Sequence, residues 1–248
     1  MTDLSGRTAL VTGGSRGIGR ASALSLASAG ARVIVHYGSS LDEAQSVAEE
    51  ICSAGGKADI ACADLNSPEG PASLAKQVRQ LVGARLDILV ANAGTGGASS
   101  IVDQRFVHFD RMYAVNVRGP FFVIQQLLPL LGEGSSVIVI TSLAARSVVG
   151  DLPAYAATKG AAETMVRHFA SALGGQGIRV NALAPGVIDT EMSSFTKTER
   201  GHDYALGIQA LKRIATPDDV APVVRFLASD DARWITGASI AVDGGSKL

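Results

Sequence analysis

Short runs that are apolar at every position alternate along this chain with longer helical patterns, and no other feature limits its folding as tightly. Val137-Ile138-Val139-Ile140 offers no polar side to water, so a strand built from it has both faces covered. The same reading predicts strands at Thr8 to Thr12, Arg32 to His36, Ala58 to Cys62, Asp87 to Ala91, Ser136 to Thr141, Ile178 to Leu183 and Ala238 to Val242. Helical patterns fill the intervals near Gly17 to Ala29, Leu41 to Ala54, Pro68 to Val82, Val107 to Leu131, Pro153 to Leu173 and Pro217 to Ala228. Alternation of this kind predicts an α/β fold with a single doubly wound parallel sheet of about seven strands and helices on both faces. Ligands of such sheets bind beyond the carboxyl ends of the strands.

A chain of 248 residues, 47% hydrophobic and 18% charged, suits a soluble globular protein with a substantial core. No linker, charge run or repeat divides it, so residues 1–248 are read as one domain. The net charge of -1 gives no footprint for nucleic acid or an anionic membrane. The segment from Met1 to Arg7 lacks the apolar stretch of a signal peptide, and no run reaches the roughly 18 apolar residues of a membrane span. A cytoplasmic protein is expected. Cys52 and Cys62 make no disulfide framework and are expected to pack; His36, His108, His168 and His202 show no metal-ligand spacing, so no metal is expected.

The first predicted strand runs into Gly13-Gly14-Ser15-Arg16-Gly17-Ile18-Gly19 and then into a helix. Strand, glycine turn and helix are what a dinucleotide site requires. Glycines allow a tight turn and bring backbone amides close to a diphosphate, while the helix N-terminus supplies partial positive charge. Further along, Tyr155 and Lys159 stand four apart on a predicted helix and share one face. A free phenol, with a pKa of about 10, is a poor acid at neutral pH, and a neighbouring ammonium is expected to lower that value. The pair suits proton exchange with an alcohol or carbonyl oxygen.

With these residues in view, the chain resembles the short-chain dehydrogenase/reductase family. The resemblance rests on Thr12-Gly13-x-x-x-Gly17-x-Gly19, Asp64-Leu65, Asn92-Ala93-Gly94, Asn116-Val117-x-Gly119, Ser142, Tyr155-x-x-x-Lys159, Pro185-Gly186 and Val242-Asp243-Gly244-Gly245, in that order. It implies a Rossmann-like fold and an oxidoreductase that interconverts a ketone and a secondary alcohol. Hydride transfer builds negative charge on the carbonyl oxygen, so a donor must polarise it and an acid must neutralise it. Ser142 looks like the donor and Tyr155 the acid. By the same resemblance Lys159 bonds the nicotinamide ribose, Asn116 supports a water relay, Asp64 meets the adenine, Asn92 the ribose region and Thr190 the cofactor's amide or phosphate. Ser15, Ile18, Leu65, Ala93, Gly94 and Ile188 complete the expected cofactor contacts. One departure is Ala91-Asn92-Ala93-Gly94, where many relatives have a second Asn in place of Ala91.

The second predicted strand ends in His36-Tyr37-Gly38-Ser39-Ser40, with no carboxylate before Asp42 to receive a free ribose 2′-hydroxyl. Arg16 in the glycine turn supplies a cation, Ser39 and Ser40 add hydroxyl donors, and His36 and Ser39 are expected cofactor contacts. The pattern favours NADP(H) over NAD(H). Small and apolar residues on the helices carrying Asn116 and Tyr155, among them Phe121, Phe122, Ala156, Ala157, Ala161 and Ala162, exceed one buried stripe. Relatives pair these helices, so a homotetramer is expected. Residues 187–214 carry Met192, Phe195, Tyr204, Leu206, Ile208 and Leu211 and are expected to form a mobile lid. The resemblance is strongest to 3-oxoacyl-acyl-carrier-protein reductases, yet Gly132-Glu133-Gly134-Ser135 and Gly174-Gly175-Gln176-Gly177 lack the cations those relatives carry there. Glu133 would repel an acidic carrier, although Arg146, Arg167 and Arg179 could compensate from elsewhere, so a small free carbonyl or alcohol substrate such as a ketone or β-keto ester is expected, with a genuine carrier-bound 3-oxoacyl reductase or a catalytically silent dinucleotide-binding regulator as the alternatives.

Overall fold

The computed structural model describes residues 2–248. Among them the strands are β1 (Thr8–Val11), β2 (Arg32–Tyr37), β3 (Lys57–Cys62), β4 (Ile88–Ala91), β5 (Ser136–Ile140), β6 (Arg179–Pro185) and β7 (Ser239–Val242). All pair in parallel, in the order β3-β2-β1-β4-β5-β6-β7. The predicted strands are all present within two residues at each end. Successive residues of one strand feed opposite layers. Leu10, Ile34, Leu89 and Val137 pack with α3 (Gly70–Val82), α5 (Gly119–Leu127) and α6 (Pro153–Leu173). Val11, Val33, Val90 and Ile138 pack with α1 (Gly17–Ser28), α2 (Leu41–Ser53) and α8 (Pro217–Ala228). Each buried Leu, Ile or Val contributes about 1.5–3 kcal/mol, so a one-residue slip of a central strand would exchange both layers at great cost.

Three expectations are corrected. The helix read as Val107 to Leu131 is broken into α4 (Phe106–Tyr113), a π turn (Ala114–Arg118), α5 and a short 3-10 turn (Leu128–Leu130). Pro120 explains the break: it has no N–H to give to the carbonyl of Asn116, and Gly119 donates to Ala114 across the wider turn instead. Cys52 and Cys62 are exposed rather than packed, because β3 is the sheet edge and the buried face of α2 is taken by Ala44, Val47 and Ile51. Ala162 belongs to the core, not to a free surface. The segment after β6, expected only as a lid, folds into 3-10 turns over Glu191–Lys197 and into α7 (Glu199–Ile208). Among the described residues no helix is long and apolar enough to cross a membrane, and no cluster of His, Cys, Asp or Glu is arranged to hold a metal ion.

Candidate active site

The chain reverses direction across the sheet at β1 and β4, and the loops leaving those strands open a crevice at their carboxyl ends. Thr12 and Asn92 stitch the two loops together. The Thr12 hydroxyl accepts from the backbone N–H groups of Asn92 and Ala93, both at 3.0 Å, and the Asn92 amide donates to the carbonyls of Thr12 at 2.9 Å and Gly13 at 3.0 Å. Gly13 sits at φ +61°, and a Cβ on Gly19 would lie 2.1 Å from the Gly13 carbonyl oxygen. Only glycine lets α1 approach the turn so closely. Arg16 caps α1 through backbone alone, with no side-chain acceptor and no acidic residue in the first turn. The first N–H groups of α1 therefore keep their capacity for an anion.

His36 and Leu65 do not sit where a ligand would touch their side chains. His36 is buried, with Nδ1 accepting the Gly13 N–H at 3.0 Å and Nε2 set 3.0 Å from the Ala63 carbonyl. Both ring nitrogens are used, so it pins the glycine turn from below. Burial lowers its pKa to about 4, outweighing the Ala63 bond that acts the other way. Leu65 is buried in the core beside Leu74. Asp64 and Ser39 stay exposed at the ends of β3 and β2, and Asp64 accepts from Asn66 N–H at 2.9 Å. Ser15 is buried in the glycine turn.

A cavity of about 600 Å³ opens on the β4–β6 side of the glycine turn. It gathers Ile18, Asn92, Gly94, Ser142, Tyr155, Lys159, Pro185, Gly186, Ile188 and Thr190 from the three loops after β4, β5 and β6 and from the helices α1 and α6. Ser142 follows β5 and accepts from Ala144 N–H at 3.1 Å. The Tyr155 ring packs on Gly96, where a Cβ would come within 3.2 Å of it. Lys159 is buried and donates to the Ile140 carbonyl at 2.9 Å, its Nζ 5.6 Å from the centre of the Tyr155 ring. The expected lowering of the phenol pKa does not appear here: burial raises it, and a hydrogen bond with Ser142 draws it partly back. Burial also lowers Lys159 to about 8. Desolvation disfavours both charged forms and outweighs the attraction between them.

Asn116, at the centre of the π turn, is buried and fully engaged. Its Oδ1 accepts from Thr95 N–H at 2.8 Å, and its Nδ2 donates to the Thr95 carbonyl at 2.8 Å and to the Thr158 hydroxyl at 3.0 Å. Thr158 in turn donates to the Tyr155 carbonyl at 2.7 Å. Sequence reading missed Thr95 and Thr158, although Thr158 adjoins Lys159. It also missed Glu163, one turn beyond Lys159, which accepts from Arg146 at 2.9 Å and Ser239 at 2.8 Å and anchors the loop after Ser142 to α6. Of the lid side chains, Met192, Phe195 and Tyr204 line the cavity; Leu206, Ile208 and Leu211 do not.

Gly132–Ser135 and Gly174–Gly177 lie at the starts of β5 and β6, about 20 Å from Ser142 by strand length. Glu133 therefore does not face the cavity of its own chain, which corrects the expectation that it would repel an acidic carrier at the entrance.

A family model described as enoyl-(acyl carrier protein) reductase matches residues 13–247. Versicolorin reductase stcU of Emericella nidulans is 41% identical, over 98% of this chain and 96% of its own. The crystal structure of the angucycline C-6 ketoreductase LanV with bound NADP is similar at a TM-score of 0.94 and 40% identity, covering 100% of this chain and 98% of that one. A short chain dehydrogenase from Burkholderia cenocepacia J2315 in complex with NADP gives 0.94 at 36% identity, covering 99% of each chain.

Proposed function

The chain belongs to the short-chain dehydrogenase/reductase family, and from that premise we propose that it is an NADP(H)-dependent ketoreductase whose substrate is a bulky, largely apolar free ketone. That it is a ketoreductase-type oxidoreductase of this family follows from the likenesses above. The glycine turn fits the cofactor: the open N-terminus of α1 suits a diphosphate, and the absence of a carboxylate at the end of β2 suits a 2′-phosphate. Gly13, Ser15, Gly17, Ile18 and Gly19 would hold the diphosphate, Arg16 and Ser39 the phosphorylated ribose, and Asp64 the adenine. Asn92, Ala93, Gly94, Lys159, Pro185, Gly186, Ile188 and Thr190 would hold the nicotinamide half.

When bound, the reduced nicotinamide supplies a hydride to the carbonyl carbon. Ser142 donates a hydrogen bond to the carbonyl oxygen and orients it toward Tyr155. Tyr155 gives its phenolic proton to that oxygen, so that C=O becomes CH–OH. A phenol kept neutral by burial is in the correct state to act as this acid. Lys159, charged below about pH 8, stabilises the phenolate that remains. Asn116 and Thr158 hold the backbone of Tyr155 and position the ring.

The convergence of Ser142, Tyr155 and Lys159 on one largely apolar cavity carries this reading. Met192, Phe195, Tyr204, Leu152 and Val149 also line the cavity, which favours hydrophobic bulk over a thin polar chain. The second reading is a carrier-bound 3-oxoacyl substrate. Against it, Arg146 is paired with Glu163 and Arg179 is buried at the start of β6, which leaves only Arg167 of those three cations free to meet an acidic carrier. NADPH oxidation followed on fused-ring ketones, β-keto esters and a carrier-bound 3-oxoacyl chain separates the two. A carrier-bound kcat/KM a hundredfold above every free ketone, falling steeply with salt, would establish the second.

Self-association is part of the proposal. Phe121 and Phe122 of α5 are over a third exposed and form an aromatic cluster with Phe169 of α6. Phe106 and Val107 at the start of α4 are exposed as well. A homotetramer closing over these helices is expected by light scattering; a monomer at micromolar concentration contradicts it.

A further inference from the structure

Glu191 has no part in the reaction just described, yet among the described residues it alone ties the lid to the glycine turn by charge. Its Oε2 lies 2.7 Å from Arg16 Nη1. Arg16 caps α1 on one bank of the crevice, while Glu191 opens the lid on the other, directly after Thr190. Backbone and side chain close the same gap, since a Cβ placed on Gly17 would lie 3.4 Å from Thr190 Cγ2. The cavity holding Tyr155 lies on the β4–β6 side of this bridge. Exposed Gly38, Ser39 and Asp64 lie on its β2–β3 side. A dinucleotide that reaches from one side to the other crosses the line of the bridge with its diphosphate.

The bridge also commits the guanidinium. Arg16 points toward the lid, away from the end of β2 where a 2′-phosphate would be received. A phosphate monoester is recognised by a guanidinium in the same forked geometry as a carboxylate, and with more than one negative charge it competes well against a single Glu. We propose that Glu191 is a specificity-determining residue: it holds Arg16 until a 2′-phosphorylated adenosine takes the guanidinium, and that exchange frees the lid from the glycine turn. An unphosphorylated cofactor has nothing to offer Arg16 and leaves the bridge in place. The inference rests on the NADP(H) reading above. Both side chains are well exposed, at 61% and 74%. Exposed pairs are weak, so the bridge biases the choice by about fivefold at most and does not dictate it.

The test uses the adenosine half alone. 2′,5′-ADP carries the 2′-phosphate and no nicotinamide; 5′-ADP lacks that phosphate. Both are titrated by calorimetry into wild type, Glu191→Gln and Arg16→Ala, and hydrogen exchange is followed over residues 191–208. Glu191→Gln should bind 2′,5′-ADP about threefold to fivefold more tightly than wild type and 5′-ADP within twofold. In wild type, 2′,5′-ADP should speed exchange across the lid and 5′-ADP should not. In Glu191→Gln the lid should exchange fast without ligand. If wild type prefers 2′,5′-ADP and Arg16→Ala loses the preference, while Glu191→Gln matches wild type in affinity and lid exchange, the bridge is incidental and the proposal is overturned. If wild type does not prefer 2′,5′-ADP at all, the cofactor reading falls and this proposal with it.

Discussion

Lowering the pH from 7.5 to 5 should remove about 2 kcal/mol of folding stability through one side chain, His36. Burial lowers its folded pKa from 6.5 to about 4. Between those values the unfolded chain takes up a proton that the folded chain refuses, so stability rises with pH across the window and is lost on acidification. At 1.36 kcal/mol per unit, the whole window amounts to about 3 kcal/mol, of which about 2 is already gone at pH 5. Burial is the cause of the shift, and the geometry acts in the same direction: Nδ1 accepts the Gly13 N–H at 3.0 Å, and a protonated ring has no acceptor to offer there. Urea unfolding of wild type and His36→Asn at pH 7.5 and pH 5, at matched protein concentration, isolates the effect because the other titrations cancel in the difference. Wild type should lose about 2 kcal/mol more than the variant. Equal losses would show that His36 does not carry a neutral, bonded ring into the folded state.

Three further outcomes follow from the same geometry. With Lys159 lowered to about 8 by burial, NADPH-dependent reduction should decline as pH rises through about 8, and Lys159→Arg, charged throughout, should move that decline above about pH 9; an identical alkaline limb in both proteins would remove Lys159 from the mechanism. Gly19→Ala forces a Cβ to within 2.1 Å of the Gly13 oxygen, so NADPH Kd should rise at least about tenfold while circular dichroism reports a folded protein; an unchanged Kd would mean the turn is not the cofactor cradle. Thr158→Val cuts the link from Asn116 to the Tyr155 carbonyl, and kcat should fall about threefold to tenfold with KM nearly constant; a change confined to KM would argue against a positioning role.

The sheet was legible because its strands are apolar on both faces and its turns carry glycines where the backbone requires them. Position along the chain was enough to place Gly13, Asn92, Ser142 and Gly186 on one rim, since every parallel strand ends there. What depends on contacts between distant segments was not legible. The residues around His36 identify it as lying at the end of β2, but only the fold shows that Gly13 and Ala63 occupy both its nitrogens. The π turn around Asn116 hides in a helical pattern whose single clue is Pro120. Helical spacing rightly predicts that Tyr155 and Lys159 are neighbours, yet it says nothing of desolvation, which sets the direction of both pKa shifts. The lid helix α7 buries only Ala205, so no core stripe announces it, and the role of Glu133 was misjudged although its place before β5 already puts it on the rim opposite the cavity.

Tyr155→Phe tests the central claim most directly. The substitution removes one oxygen from the cavity wall and leaves the ring that packs on Gly96. The account predicts that kcat for ketone reduction falls by about 10²–10⁴, the range expected for loss of a positioned acid, while the Kd for NADPH measured by fluorescence titration stays within about twofold of wild type. A variant that retains kcat within about tenfold of wild type would contradict it, because the proton would then reach the carbonyl oxygen from another group.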